Sequence, residues 1–479
     1  MNKLKNDSYS NFWDWLDSIS IKYKNYEIKN AILAQKYSQL LQITWDRKGF
    51  NLRKLLSSVK WNLILHLFTN KISKRNKNLL IKKNYDSLYD LSIKNLYAIN
   101  FSPNDPRTFL HICPLVESDD NSLVITVKND VYKYFNKIGK PVILLDISNP
   151  WRRKNDLEIG IPLNSLGKKS LLSLDLFSLV LLSKAASLID LLDILTNKNG
   201  LPQTLITLQD FHAFDSIFAT YFLGKIPTVT LQHGRAGIPK DIKKNLWKYI
   251  ISDWMVVFST NQAKALESMG VSPKKIRILG SAKYDLYIDK MEGRLKNNKN
   301  KRVLLSIQET ILSKKYSTIY NFVKYLLNSK EHFVLSIRFH PEVEKSKRKN
   351  FMQKLRRENI FSHVILEISK NKDPLEDISK STIVLVSHTT LAIEAMLFKK
   401  PIIEYLSSKR EGATKFYDYR DFALHASTGE EAKTLIIKLL NDHSFYKEVV
   451  EKQNNFINSE IMLPPAIPRI LDFIYNLAN

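Results

Sequence analysis

Short apolar runs alternate with helical segments over most of the chain after residue 107. The runs are rich in Val, Ile and Leu, which is typical of strands buried on both faces of a sheet. Because strands and helices alternate, the pattern favours parallel sheets covered by helices. The predicted strands are TFLHICPL, SLVITV, KPVILLDI, TLITLQD, TVTLQHG, WMVVFS, KIRILGS, RVLLSIQ, FVLSIRFHP, HVILEI, IVLV and PIIEY.

A polar, basic segment divides this pattern into two halves. The segment MEGRLKNNKNKR, at 291–302, has the composition of a linker, and the alternation restarts after it. We therefore expect two facing, doubly wound α/β domains of the Rossmann-like type, at residues 101–287 and 288–457. Residues 458–479 are expected to form an amphipathic helix that packs back across a domain.

The first 100 residues follow a different pattern and are interpreted as a basic, helical extension. Two roles stay open for it: its aromatic, basic helices could lie on a membrane or cover the neighbouring domain. The longest apolar segment, 171–195, carries four charged residues, which favours a buried helix or helix pair over a membrane span.

The composition of the chain limits the cellular compartment and the binding partners that we expect. A single cysteine, Cys113, excludes an internal disulfide and a cysteine-based zinc cluster. The first residues lack the apolar core of a signal peptide, so we expect a cytoplasmic protein. The net charge of +26 predicts an acidic partner. No nucleic-acid-binding motif accompanies the basic runs, so no nucleic acid is expected, and attraction to the inner face of an anionic membrane is the favoured alternative.

Polar residues follow the predicted strands in both halves, at the edge where ligands collect in open parallel sheets. We expect them to line one cleft. They are Gln209, Asp210 and His212; Gln232, His233 and Gly234; Gly280 and Ser281; Gln308; Arg338, His340 and Pro341; and Ser387, His388, Thr389 and Thr390.

The second half supplies candidate groups for binding a nucleotide. Pro341 holds His340 in an extended or turn conformation, and Arg338 adds positive charge two residues earlier. The hydroxyls and backbone N–H groups at 387–390 could bind phosphates at the start of a helix, although an ordinary helix cap would have the same sequence. Glu394, one turn into that helix, could accept a hydrogen bond from a ribose hydroxyl.

Two residues of the first half are candidate general bases. His233 lies between a strand and a glycine-containing turn, and Asp210 follows a strand, where it could equally be a helix cap. The residues leave the choice between them open. No paired metal-binding carboxylates are evident, so metal-independent chemistry without a cofactor is favoured.

Four segments resemble the two-domain glycosyltransferases of the GT-B type. The segments are LQHG at 231–234, ILGSAKYD at 278–285, RFHPE at 338–342 and VSHTTLAIEAMLFKKPIIEY at 386–405. They look similar to bacterial capsule and surface-polysaccharide enzymes: sialyl- and polysialyltransferases, Kdo transferases and CDP-glycerol glycerophosphotransferases. In such families a His-Pro motif and a Ser/Thr motif bind the nucleotide of the donor. The resemblance therefore implies these roles for His340, Ser387, Thr389 and Thr390, and a place near phosphates for His233 and Gly234.

The resemblance implies an enzyme that transfers a sugar or a polyol phosphate from a CMP-, CDP- or UDP-activated donor to a surface glycan or lipid-linked acceptor. The acidic-acidic-glycine motif of the polysialyltransferases is not reproduced by LQDFHAFD, so the base is not carried over. Nonhydrolysing UDP-N-acetylglucosamine 2-epimerases share the architecture but carry His-Val-Glu-Ala-Gly-Leu-Arg where this chain has LQHGRAG. An epimerase and a non-catalytic glycan- or membrane-binding protein remain the alternatives.

Overall fold

The computed structural model describes residues 20–32, 81–83, 91–104, 109–147, 157–160, 176–208, 210, 212–232, 245–287, 301–308, 312–313, 315–340, 343–358, 363–369, 374–387, 389, 391–405 and 422–478. Their strands are β1 (Ser20–Tyr23), β2 (Tyr26–Glu27), β3 (Ile81–Lys83), β4 (Asn95–Ala98), β5 (Ser122–Thr126), β6 (Val142–Leu145), β7 (Leu157–Gly160), β8 (Thr204–Leu208), β9 (Thr228–Leu231), β10 (Trp254–Val257), β11 (Ile276–Ile278), β12 (Arg302–Ile307), β13 (Phe333–Phe339), β14 (Val364–Ile368), β15 (Ile383–Val386), β16 (Ile402–Tyr405) and β17 (Leu424–Ala426).

The described α-helices are α1 (Cys113–Ser118), α2 (Asn129–Lys137), α3 (Leu176–Asn199), α4 (Ala213–Phe222), α5 (Thr260–Ser268), α6 (Tyr316–Leu327), α7 (Lys345–Glu358), α8 (Pro374–Lys380), α9 (Leu391–Leu397), α10 (Gly429–Asn441), α11 (His443–Glu460) and α12 (Ala466–Ala478). Short 3₁₀ turns lie at Leu91–Ile93, Trp247–Tyr249 and Pro273–Lys275.

The first large sheet has the strand order β11-β10-β9-β8-β4-β5-β6-β3. Its strands pair in parallel, except that the edge strand β3 runs antiparallel to β6. The central strands β4, β5, β8 and β9 are buried along their whole length, which explains their near-continuous apolar sequences. The chain therefore reverses its direction of winding between β4 and β8.

The second large sheet has the order β14-β13-β12-β15-β16-β17, and all of its pairs are parallel. Its winding reverses between β12 and β15. Both sheets thus show the doubly wound order of the Rossmann fold. The predicted fold class, two Rossmann-like parallel-sheet domains, is confirmed.

The expectation that residues 1–100 form a helical extension is wrong for most of their described part. Strands β1 and β2 pair with β7 in a small antiparallel sheet. Strand β4 lies at the centre of the first large sheet, so this domain includes residues before 101. The reason is that NLYA is a short, fully buried run, and periodicity cannot distinguish such a run from a helical turn.

The segment TFLHICPL is predicted as a strand, but helix α1 begins inside it at Cys113. Pro114 lies in the first turn of this helix, where a missing N–H costs nothing. The other predicted strands after residue 107 are present as β5, β6 and β8 to β16. The predicted apolar helix at 171–195 is present as α3, and the predicted linker at 291–302 lies almost wholly outside the described residues.

The two domains share a hydrophobic cluster. Phe258, Tyr284 and Tyr287 of the first domain lie in one buried cluster with residues of β15 and α9. After α11 the chain returns to the first domain, where α12 packs on the face of the sheet opposite α3, α4 and α5. The Asp285 carboxylate accepts hydrogen bonds from the first N–H groups of α12, at 2.7 Å, and so caps this helix.

Candidate functional site

The point where the winding of the second sheet reverses lies between β12 and β15. Ligands bind at such switch points in open α/β sheets, outside the carboxyl ends of the strands. Gln308 directly follows β12, and Ser387 directly follows β15. Because the two strands are parallel neighbours, the topology brings these two predicted site residues to the same edge of the sheet.

His340 extends this edge on the other side of β12. It directly follows β13, and its backbone N–H donates to the carbonyl of Ile307 at 2.8 Å. Its own carbonyl accepts from Arg348 Nη2 at 3.0 Å. The backbone of the half-buried His340 is therefore fixed next to Gln308. Pro341 lies outside the described residues.

The turn after β15 leads directly into α9. Ser387 is buried, and the Thr389 hydroxyl accepts a hydrogen bond from the Leu391 N–H at 3.3 Å. Thr389 thus acts as a cap at the start of α9. His388 and Thr390 lie outside the described residues, so this part of the predicted phosphate site is described only through Ser387 and Thr389.

Glu394 forms an ion pair between the two domains. Its Oε1 lies 2.5 Å from Lys283 Nζ, and Glu394 and Lys283 are 3% and 4% exposed. Lys283 comes from a helical stretch of the first domain, 282–287, and its ammonium also lies 5.5 Å from the centre of the Tyr287 ring. The second oxygen, Glu394 Oε2, has no hydrogen-bond partner in the described part of the chain.

The sequence alone does not single out Lys283. It is the only charged residue between Gly280 and Tyr284 in the segment ILGSAKYD. A buried lysine needs a partner, but the sequence does not reveal that its partner lies 111 positions away.

Arg338 has a carboxylate partner within its own domain. Its Nη1 lies 2.6 Å from Asp377 Oδ2 on α8, and the Ser369 hydroxyl donates to the same oxygen. The positive charge that the sequence suggested for a phosphate is therefore balanced by a neighbouring carboxylate.

Gly280 and Ser281 face other parts of the protein. Gly280 has a φ of +98°, and a Cβ at this position would lie 2.8 Å from Ala466 Cβ in α12. The Ser281 hydroxyl lies 2.8 Å from His111 Nδ1, and both residues are buried. These contacts within the protein are sufficient to account for a glycine at position 280 and a serine at position 281.

Asp210 lies in the turn after β8 and is completely buried. Its Oδ2 accepts from the backbone N–H groups of Ile251 and Ser252, at 3.0 and 2.6 Å. Burial raises the pKa of this carboxyl to about 6, against the opposing effect of these hydrogen bonds. The Asp210 carboxylate thus fixes the backbone at 251–252, and its Oδ2 is occupied by these two hydrogen bonds.

A second buried carboxylate, Asp215, lies in the first turn of α4. Its Oδ1 accepts from Asn100 Nδ2 at 2.5 Å, at the carboxyl end of β4. Burial raises its pKa well above the ordinary value, and the nearby charge of Asp210 acts in the same direction. The sequence feature that could have identified Asp215 as a candidate site residue is its charge inside the apolar helix AFDSIFATYF. Its neighbour His212 has a pKa lowered to about 4 by burial and by Lys128.

The remaining predicted residues, Gln209, His233 and Gly234, lie outside the described residues. Within the described ranges, no group of three or more His, Cys, Asp or Glu side chains is arranged to hold a metal ion. Nor does any helix in this part of the chain have the length and apolarity needed to cross a membrane.

No protein-family model and no curated protein matches this chain. Several solved structures do match it. The UDP-GlcNAc 2-epimerase of Neisseria meningitidis bound to UDP-GlcNAc has a TM-score of 0.52 at 15% identity, over 80% of this chain and 100% of that one. A glycosyltransferase of Rickettsia africae has a TM-score of 0.51 at 14% identity, over 82% and 99%. The S. aureus MnaA–UDP co-structure has a TM-score of 0.50 at 15% identity, over 80% and 97%.

At these identities the likeness shows the fold: the chain has the two-domain GT-B architecture of Rossmann-like units. The matches include both an epimerase and a glycosyltransferase. They therefore specify the architecture and not the reaction.

Proposed function

We propose that this protein is a transferase that moves a sugar, or a polyol phosphate, from a nucleotide-activated donor to a surface-glycan or lipid-linked acceptor. The observation that carries the proposal is the convergence of Gln308, His340 and Ser387 at the switch point of the second sheet. Among CMP, CDP and UDP donors, UDP has the support of the ligands named in the structures of two similar proteins.

In this proposal the second domain binds the donor. The hydroxyl of Ser387 and the imidazole of His340 contact the phosphates at the carboxyl edge of the sheet, where they stabilise the nucleotide as it leaves. Oε2 of Glu394 accepts a hydrogen bond from a ribose hydroxyl, while Lys283 holds Oε1 of the same carboxylate.

The first domain activates the acceptor. An acceptor hydroxyl attacks the donor carbon or phosphorus, its proton passes to a general base, and the bond to the nucleotide phosphate breaks. We assign the base to His233, because Asp210 is completely buried and already binds two backbone N–H groups. Asp210 then supports the site by fixing the segment before β10.

A UDP-sugar epimerase is the second candidate, and the epimerase structures among the similar proteins favour it. Such an enzyme would convert the sugar of its donor without any acceptor. LQHGRAG lacks the glutamate that the epimerases carry in the corresponding element, which argues against this candidate.

One set of reactions separates the candidates. The purified protein is incubated with UDP-GlcNAc, UDP-glucose, CMP-sialic acid and CDP-glycerol, each with and without glycan acceptors, and nucleotides and sugars are resolved by chromatography. Release of nucleotide only in the presence of an acceptor supports the transferase. Conversion of the sugar without an acceptor supports the epimerase, and no turnover of any donor under either condition contradicts both.

A further inference from the structure

One face of the second sheet is unusually polar. Sheets covered by helices are normally apolar on both faces. At β13 and β14, however, Ser336, Arg338, Glu367 and Ser369 follow Val334 and Ile365 on one face, since side chains alternate and Ser336 pairs with Glu367; Ser369 directly follows β14. The polar groups of such a face need hydrogen-bond partners, which a covering element, solvent or a ligand can supply.

Helix α8 covers only part of this face. It has seven residues, and Asp377 attaches it to Arg338 and Ser369. Beside it lies a cavity of about 430 Å³. The cavity lies against the edge strand β14, and Arg302, Arg356 and Lys380 supply its positive charge.

These three cations differ in their partners. Arg302 Nη1 lies 2.6 Å from Glu367 Oε2 and is neutralised. Among the described residues, the one ion-pair contact of Lys380 is a long one, 3.9 Å to Glu376 on its own helix. Arg356 is exposed and has no ion-pair partner among the described residues. The cavity therefore presents two positive charges that are available to a ligand, next to hydroxyl groups on its floor.

Helix α7 carries further positive charge outside the cavity. Arg356 lies in its last turn, and half of its 14 residues are basic. Phe351 and Leu355 of α7 are buried on the face of the sheet opposite α8, and Arg348 donates to backbone carbonyls. The exposed basic residues of α7 therefore lie around the edge strand β14 from the cavity. The basic residues are Lys345, Lys347, Arg348, Lys349, Lys354, Arg356 and Arg357. A ligand longer than the cavity could continue around this edge to the basic surface that they form.

We infer that the cavity at β14, together with the basic surface of α7, binds an acidic glycan chain. Arg356 and Lys380 bind carboxylate or phosphate groups of the chain, and Ser336, Ser369 and Glu367 provide partners for its hydroxyl groups. No aromatic residue lines the cavity in the described part of the chain, whereas single-stranded nucleic acids are bound by stacking on aromatic rings. A membrane site would require apolar side chains that can insert. The lining aliphatic residues, Leu366 and Ile368, are half-buried, and the neighbouring Ile365 is a single exposed apolar side chain.

The inference extends the proposed function, because a site outside the switch point would retain the growing polymer near the domain that binds the donor. It rests on the proposed function for this purpose, but its test needs no nucleotide. The two can therefore fail separately.

The test is glycan binding, measured by calorimetry at low salt with a size-fractionated oligogalacturonate and with poly(glycerol phosphate). The pocket variant is Arg356→Gln with Lys380→Gln. The matched control is Lys133→Gln with Lys137→Gln, which removes two charges from the exposed side of α2 in the first domain. A neutral maltooligosaccharide, phosphatidylglycerol vesicles and single-stranded DNA test the class of ligand.

We expect the wild type to bind at least one acidic polymer and not the neutral one. The pocket variant should lose on the order of tenfold in affinity, because charge-assisted contacts are lost, and the control less than about twofold. The pocket variant should retain stabilisation by nucleotides. Equal losses in both variants, binding to neither acidic polymer, or a loss confined to vesicles or DNA would each overturn the inference.

Discussion

The ion pair between Lys283 and Glu394 leads to a quantitative prediction about the junction of the two domains. Substitution Lys283→Met keeps the length of the side chain but leaves the Glu394 carboxylate buried without its cation. Removal of one partner from a buried pair costs about 3–5 kcal/mol, because the remaining charge stays desolvated. We expect this loss in the free energy of unfolding, measured by urea titration with circular dichroism.

A second substitution separates the charge effect from a general loss of packing. In the double variant Lys283→Met with Glu394→Gln neither partner is charged, so most of the stability should return. With Glu394→Gln alone as the fourth member, the double-mutant cycle gives the coupling energy. The control is Lys24→Met, which breaks an ion pair with Asp193 of the same length, 2.5 Å, at an exposed position. It should cost less than about 1 kcal/mol.

The reasoning would be refuted if Lys283→Met were no more destabilising than Lys24→Met, or if the double variant were as unstable as the single one. Either result would mean that the buried charges do not depend on each other.

Three further predictions concern Gly280, Asp210 and His233. Gly280→Ala should destabilise the protein by about 1–3 kcal/mol more than Gly200→Ala in thermal unfolding. Both glycines have a positive φ, so both variants bear backbone strain, but of the two only the Cβ at Gly280 would meet another residue, Ala466. Asp210 has a folded-state pKa of about 6 against an ordinary 3.8, so the folded state holds its proton more tightly and stability falls as the pH rises from about 4 to about 6. The stability of Asp210→Asn relative to the wild type should therefore rise by about 3 kcal/mol over this window, and a constant difference would contradict the pKa. Finally, His233→Ala should abolish transfer without changing nucleotide affinity; full activity in this variant would exclude His233 as the base.

The sequence was sufficient where one local signal decides the structure. The runs RVLLSIQ, FVLSIRFHP and IVLV are mostly apolar, and such strands become the buried centre of a parallel sheet. The sequence alone therefore places the polar residues after them at one edge of a sheet. The run NLYA carries the same signal over only four residues, so its pattern does not separate a buried strand from part of a helical segment.

Partners distant in sequence were beyond prediction. The contact with Ala466 leaves no room for a side chain at Gly280, and Asp377 neutralises Arg338. No local sequence pattern identifies either Ala466 or Asp377 as the partner. The sequence therefore identified Arg338 as a phosphate-binding charge, whereas the tertiary fold supplies a carboxylate for it.

Nucleotide affinity tests the central claim, that the switch point of the second sheet binds the donor. UDP, CDP and CMP are titrated by calorimetry into the wild type, into His340→Ala with Ser387→Ala, and into His363→Ala. The last is a control that removes an exposed imidazole next to the start of β14. We expect at least one nucleotide to bind the wild type and the control equally, and to bind the double variant on the order of tenfold more weakly or worse. Equal affinity in all three proteins, or no binding of any of the nucleotides, would contradict the account.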